Sequence, residues 1–257
     1  MQKENNTGVY EPQRDFEQKV THILLYDTEV NPHFHGSIEI LLVKKGKVEY
    51  CSNLHSHILS EGEIVFIPPF FSHSFRSLTE SETETIIIPS SYLKDYDTYL
   101  GGLYFSKLSD RQVNIKIENL FKEIEKATRS ENCNDLMLKG LVNYLLGFIA
   151  ANYPASPYKR GDNLMVNIAL YINDNFTHKI TLEEISSHFG FNKTYFSRLF
   201  KKYFNCSLTS FVNNIRYNYV IENKGNNNIT TLIHEVGFVS TSSFYRYSQQ
   251  KKEKKNE

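Results

Sequence analysis

The 257-residue chain has little cysteine, no long apolar run and no net charge. Its three cysteines, Cys51, Cys133 and Cys206, are far apart and show no C-x-x-C spacing. That excludes a disulfide framework and makes a reducing cytosol the expected setting. No apolar stretch approaches the roughly 20 residues that cross a bilayer. The first residues, MQKENNTGVYEPQRDFEQ, are too polar and acidic for a signal peptide. The expectation is a cytoplasmic chain with no membrane partner. The zero net charge hides an asymmetry. Residues 160–257 hold 13 Lys and Arg against 8 Asp and Glu, a net of +5, which leaves −5 for residues 1–159. A basic C-terminal part suits a polyanionic partner, and an acidic N-terminal part does not.

What is present is enough for sizeable cores: 40% of residues are hydrophobic and 14% aromatic, and the length suits two domains. The most informative stretch is 180–204, ITLEEISSHFGFNKTYFSRLFKKYF. Thr181 with Glu184 three positions on has the spacing of a capping box, and Leu182, Ile185 and Phe189 fall on one helical face. Gly190 breaks that helix, Phe191 staples the turn, and Asn192 caps a second helix. The second helix buries Phe196, Leu199, Phe200 and Tyr203 and leaves Thr194, Ser197, Arg198, Lys201 and Lys202 outside. A helix, a glycine turn and a helix exposing cations and small hydroxyls is the pattern of a DNA-reading helix-turn-helix.

The pattern returns at 229–250, ITTLIHEVGFVSTSSFYRYSQQ. Gly237-Phe238 repeats Gly190-Phe191, and Phe244-Tyr245-Arg246 repeats Phe196-Ser197-Arg198 one residue further from the glycine, so one structural unit occurs twice. With Ile180-Thr181-Leu182, Ile185, Phe200-Lys201-Lys202, Arg216 and Ile229 in place, residues 164–250 resemble the tandem helix-turn-helix domain of bacterial AraC-type (AraC/XylS) transcription regulators. The resemblance implies double-stranded DNA as partner. It places Thr194, Ser197 and Arg198, and their counterparts Ser242, Tyr245 and Arg246, toward bases. Lys193, Lys201 and Lys202 suit phosphates, whose contacts position a protein without specifying sequence. Arg198 and Arg246 have a second reading as interhelix ion-pair partners. Two recognition helices held rigidly enter successive major grooves about 34 Å apart. The chain departs from the pattern at Asn205, at Asn223-Lys224-Gly225, at Ser248 and in its KKEKKNE end. Those departures predict a loosely packed second subunit that contacts the DNA backbone more than its bases.

Between Val20 and Pro89 the chain reads as short strands: Ile38 to Val43, Val48 to Tyr50, Ile64 to Ile67 and Thr85 to Ile88, with turns between. Regular short strands suggest an antiparallel barrel or jelly roll. His33-Phe34-His35, Glu39 and Gly46, then Gly62, Pro68 and His73, resemble the two cupin motifs, with Phe70 and Ser77 departing from the second. His33 and His35 are i, i+2 on a strand and face one way. In cupins the four positions His33, His35, Glu39 and His73 hold a metal. In AraC-type regulators they line a pocket for a small-molecule effector, and that is the reading taken here, with no cofactor expected. Three imidazoles and a carboxylate also suit Zn, Fe, Mn or Ni, so the metal stays open. His55 and His57 lack a nearby carboxylate and read as solvent-facing strand residues.

From Asp110, Val113, Ile117, Leu120, Phe121 and Ile124 mark an amphipathic helix, and Leu136 to Ala151 marks a more apolar one. These helices pack on the barrel, serve self-association into a homodimer, or do both. Asn152 to Asp162, NYPASPYKRGD, reads as linker. The expected class is α+β: a cupin-like effector or sensor barrel over 1–95, a helical linker or dimerisation region over 96–152, a linker over 153–162 and an all-α DNA-binding domain over 163–257. The expected function is sequence-specific transcription regulation under effector control, without catalysis. Two rivals are a cupin metalloenzyme with a helical appendage and a degenerate regulator acting through a protein partner.

Overall fold

A computed structural model describes residues 8–11, 14, 19–52, 55–93, 103–105, 107–130, 134–157, 164–204, 206–224 and 228–253. Cys133, Asn205, most of the Tyr-rich stretch 90–105 and the last four residues lie outside that description. The chain divides into two compact units, 1–163 and 164–257.

The described residues of the first unit form two facing sheets, with two α-helices on one of them, and a short two-stranded pair. One sheet runs β1 (Val9–Tyr10), β3 (Glu29–Phe34), β8 (His73–Ser77), β5 (Lys47–Ser52), β6 (Ser56–Ser60). The other runs β2 (Thr21–Tyr26), β9 (Glu82–Ile88), β4 (Ile38–Lys45), β7 (Ile64–Ile67). The strands pair antiparallel apart from β1 on β3. Strand β4 explains why the sequence has a near-continuous apolar run there: both its faces are covered. Ile38, Ile40 and Leu42 point to the helices, while Glu39, Leu41 and Val43 point between the sheets.

Helix α1 (Arg111–Arg129) is capped by Asp110, whose carboxylate accepts from the Gln112 and Val113 amides. Helix α2 (Asp135–Asn152) is capped by Asn134 through the Met137 amide. Ile117, Phe121 and Ile124 of α1 and Val142, Leu145 and Ile149 of α2 join Ile40, Phe66 and Ile86 of the sheet in one core. Each such side chain contributes about 1.5–3 kcal/mol over staying exposed. The two helices therefore pack on the barrel. A polar seam closes the edge: His22 Nε2 lies 2.8 Å from Glu84, and Lys44 pairs with both Glu84 and Glu118. The start of the expected linker is docked here. Ser156–Pro157 (β11) pairs with Leu103–Tyr104 (β10), and the Tyr153 hydroxyl donates to Asn114.

The described residues of the second unit form six helices: α3 (Leu164–Asn175), α4 (Leu182–His188), α5 (Lys193–Phe204), α6 (Leu208–Asn223), α7 (Ile229–Glu235) and α8 (Thr241–Glu253). The core around α5 stacks Phe196, Phe200, Phe204 and Phe211. Around α8, Val220, Leu232, Ile233, Val236, Phe238 and Phe244 form a second core, all at or below 6% exposure. The expected loose packing of this half is corrected by that core. Tyr217 of α6 stacks on Phe244 and meets Tyr247, whose hydroxyl donates to the Ser210 carbonyl; these tyrosines supply the wall that Asn223-Lys224 does not.

Arg216 of α6 holds the unit together. The residue is 8% exposed, and its guanidinium donates to the carbonyls of Phe176, His178 and Gly237 at 2.7, 2.7 and 2.8 Å. A Cβ on Gly237, which sits at φ +83°, would come within 2.9 Å of that guanidinium and of the Thr177 carbonyl. Glycine there serves both the turn and the close approach.

Candidate functional site

The helix-turn-helix surface is built as the local sequence dictates. The capping box is complete: Glu184 accepts from the Thr181 amide at 2.9 Å, and Thr181 Oγ1 accepts from the Glu184 amide at 3.2 Å. Gly190 takes φ +74°, the Phe191 amide reaches back to the Ser186 carbonyl, and Asn192 accepts from the Tyr195 amide to start α5. In the second copy Asn228 caps α7 through Thr230, Gly237 turns the chain, and Ser240 accepts from the Ser243 amide ahead of α8.

With Phe196, Leu199 and Phe200 turned inward, Lys193, Thr194, Ser197, Arg198, Lys201 and Lys202 are all exposed on α5. Ser242, Tyr245 and Arg246 are exposed on α8 while Phe244 is buried. Lys193 reaches Glu183 at 3.1 Å across the turn, both groups in water. Such a pair is worth little and yields readily to another anion. Neither Arg198 nor Arg246 has an ion-pair partner among the described residues, so the interhelix reading of these arginines has no support there.

In the first unit, four residues separated in sequence converge. His33 and His73 are register partners across β3 and β8, with ring centroids 4.2 Å apart. His35 follows β3, and its ring stands 5.3 Å from that of His73. Glu39 comes from the opposite sheet, and one of its carboxylate oxygens lies 3.2 Å from His35 Nε2 and 3.3 Å from His73 Nε2. The candidate donor atoms of all four lie within 4.8 Å of one another, and all four residues are buried. Burial alone would raise the Glu39 carboxyl, but the hydrogen bonds from His35 and His73 hold it well below the usual carboxylate range. Burial, and then the neighbouring His73, push His33 down to about 3, so that ring is neutral at ordinary pH.

The backbone contributes parts that pattern reading did not find. Strand β1 lies over His33, and a Cβ on Gly8 would come within 2.5 Å of the His33 amide nitrogen. The Gly8 amide donates to Ser72 Oγ at 2.9 Å. A glycine close to a distant strand leaves no periodic trace in the sequence. Phe70, which departs from the cupin motif, takes the left-handed φ of +64° that glycine adopts without strain; its amide donates to the His35 carbonyl at 2.7 Å. The reading of His55 and His57 as solvent-facing is corrected in part. His55 is exposed and bonds the Tyr104 hydroxyl at 2.8 Å, but His57 is half-buried and stacks on Tyr50. Burial, with His55 and Lys107 nearby, lowers its proton affinity.

Comparison with known proteins agrees with both halves of this architecture. Residues 25–146 match the AraC-like ligand-binding domain, and residues 172–213 match the AraC family of bacterial regulatory helix-turn-helix proteins. That second match takes in the first helix-turn-helix and stops before the repeat. The chain is 24% identical over 222 residues to the HTH-type transcriptional activator RhaS of Mannheimia succiniciproducens, covering 82% of each chain. It is 23% identical over 229 residues to the HTH-type transcriptional regulator YfiF of Bacillus subtilis, covering 80% of this chain and 71% of that one. In fold it is similar to the AraC-like transcriptional activator CuxR, with a TM-score of 0.50 and 16% identity, covering 84% of this chain and 78% of that one. No described helix is long and apolar enough to cross a membrane. With a ligand-binding barrel ahead of a tandem helix-turn-helix, the chain belongs to the AraC family of bacterial transcription regulators.

Proposed function

We propose that the second unit reads specific DNA sequence through α5 and α8, and that a ligand held at His33, His35, Glu39 and His73 controls this reading from the cytoplasm. The observation that carries the DNA reading is a duplicated surface. Twice, a short capped helix and a left-handed glycine lead into a helix that buries phenylalanine and exposes hydroxyls and an arginine. Arg198 and Arg246 fork onto guanine, Thr194, Ser197, Ser242 and Tyr245 meet neighbouring base edges, and Lys193, Lys201 and Lys202 sit on phosphates. The test is binding of wild type and Arg198→Ala to a duplex from the chain's own promoter against random competitor at fixed salt. Arg198→Ala should lose about 1–3 kcal/mol of discrimination while keeping most of its non-specific affinity. Equal discrimination by both proteins would remove Arg198 from base reading.

The chain acts as a homodimer through the outer side of α2. Met137 and Tyr144 are 53% and 61% exposed, and with the exposed Ala151 they form an apolar stripe on the side of α2 away from the barrel core, flanked by Leu141 and Phe148, which are half-buried against that core. Gly140 and Gly147 run beside it with open space where a Cβ would stand. A ridge of large side chains alongside a groove of glycines suits the same face of a second copy.

A further inference from the structure

We infer that Val239, in the turn between α7 and α8, reads a thymine by covering its C5-methyl group in the major groove. This rests on the DNA-reading proposal above and adds to it a base-specific contact made from outside both recognition helices.

Three observations carry it. The first is exposure. Val239 is 94% exposed, more than any other large hydrophobic residue among those described. Single apolar residues at a surface are ordinary, so exposure alone assigns no role. Position does.

The second is the register of the duplication. In the first copy the capping Asn192 stands two residues after Gly190, and in the second the capping Ser240 stands three after Gly237. Phe191 runs straight into its cap, and its ring lies 5.5 Å from that of Tyr195 on the helix that follows. The second turn is one residue longer, and Val239 is that residue, set between Phe238 and Ser240. It stands directly ahead of the start of α8, and the N-terminal end of a recognition helix is the part that meets base edges. Ser242, Tyr245 and Arg246, exposed on α8, supply the polar side of the same approach.

The third is how firmly the turn is held. On one side Phe238 is 5% exposed, its amide donates to the Ile233 carbonyl at 3.1 Å, and its ring meets Phe244 edge-on at 5.4 Å. On the other side Ser240 and Ser243 exchange bonds, each amide donating to the other's hydroxyl oxygen at 3.2 Å. With both neighbours fixed and a β-branched side chain stiff at χ1, the two methyls of Val239 have little freedom left to lose on contact. Covering them is favourable. In the major groove the apolar group that a base pair presents is the thymine methyl, whereas phosphates and the other base edges offer only charge, donors and acceptors.

The test uses the full chain and the promoter duplex above at fixed salt, with thymidines replaced one at a time by deoxyuridine. That change removes the methyl and keeps base pairing and every donor and acceptor. For wild type, one replacement should weaken binding about fourfold, the effect of one buried methyl-sized group. Val239→Ser should bind the thymidine duplex as weakly as wild type binds the deoxyuridine one, and should not distinguish the two. Val239→Ile, which keeps an apolar branch, should retain the distinction. Both variants should unfold at the wild-type temperature, because so exposed a side chain gives the fold little. Wild type indifferent to every replacement overturns the inference, as does a preference for thymidine that Val239→Ser retains. Unchanged DNA binding by Val239→Ser also overturns it and leaves the side chain to a protein partner. In these three cases promoter discrimination persists, and the DNA-reading proposal stands. A wild type without promoter discrimination overturns that proposal and this contact together.

Discussion

His33 is buried with its ring neutral, so its stability contribution has a definite sign. Its proton affinity in the fold, at about 3, lies below the 6.5 of the unfolded chain. The unfolded state therefore binds the proton first, and stability present above pH 6.5 is lost as pH falls toward 3. Glu39, held below the usual 4.5, loses its contribution further into acid, in the same direction. Urea midpoints between pH 7 and pH 4 should fall, and His33→Asn should flatten the slope by about one proton, or about 1.4 kcal/mol per pH unit. An unchanged slope would place the acid sensitivity elsewhere. The residues of this pocket were legible because chemistry and spacing coincided: His33, His35, Glu39 and His73 sit where strand alternation turns them inward. Gly8, Ser72 and the left-handed Phe70 were not, because each matters through a backbone neighbour dozens of residues away or through a φ that a phenylalanine does not advertise.

Helix ends followed local signals closely. Thr181 with Glu184, Asn192, Asp110 and the two Gly-Phe turns all appear where short-range hydrogen bonding and positive φ require them. The packing between helices was less accessible. Arg216 read as a family residue without a part to play, yet its guanidinium joins the segment after α3 to the turn between α7 and α8. Arg216→Ala strands three carbonyls and should destabilise the second unit by about 3 kcal/mol or more. Arg216→Lys should recover little, since an ammonium lacks the planar fork that reaches three acceptors. Thermal unfolding should show the transition of the second unit move down while that of the first stays in place. A single unshifted transition would mean the clamp contributes little. The second helix-turn-helix shows the same limit: a missing apolar pair predicted a weak core, and Tyr217, earlier on α6, and Tyr247 of α8 closed it.

The outward stripe of α2 bears on how two copies assemble. Tyr144 stands in its middle, 61% exposed and 6.2 Å from Phe148 between ring centroids. Tyr144→Glu places two like charges across a two-fold contact and should shift sedimentation equilibrium to monomer without changing the circular dichroism of the chain. A wild type that sediments as monomer at micromolar concentration would remove this assembly. The stripe was visible as excess apolarity in Leu136 to Ala151, but which side met the barrel was not, because that helix is apolar almost all round.

Periodicity, capping residues and repeated turns set the order of strands and helices, the duplication of the helix-turn-helix and the face of α5 and α8 that meets solvent. These are short-range effects, encoded within a few residues of where they act. The meeting of β3, β4 and β8 at one buried quartet, the filled barrel interior, the Arg216 clamp and the tyrosines closing the second core depended on long-range packing. Their partners are separated by tens of residues, and side-chain volume and hydrogen-bond geometry between distant segments leave no local pattern to read.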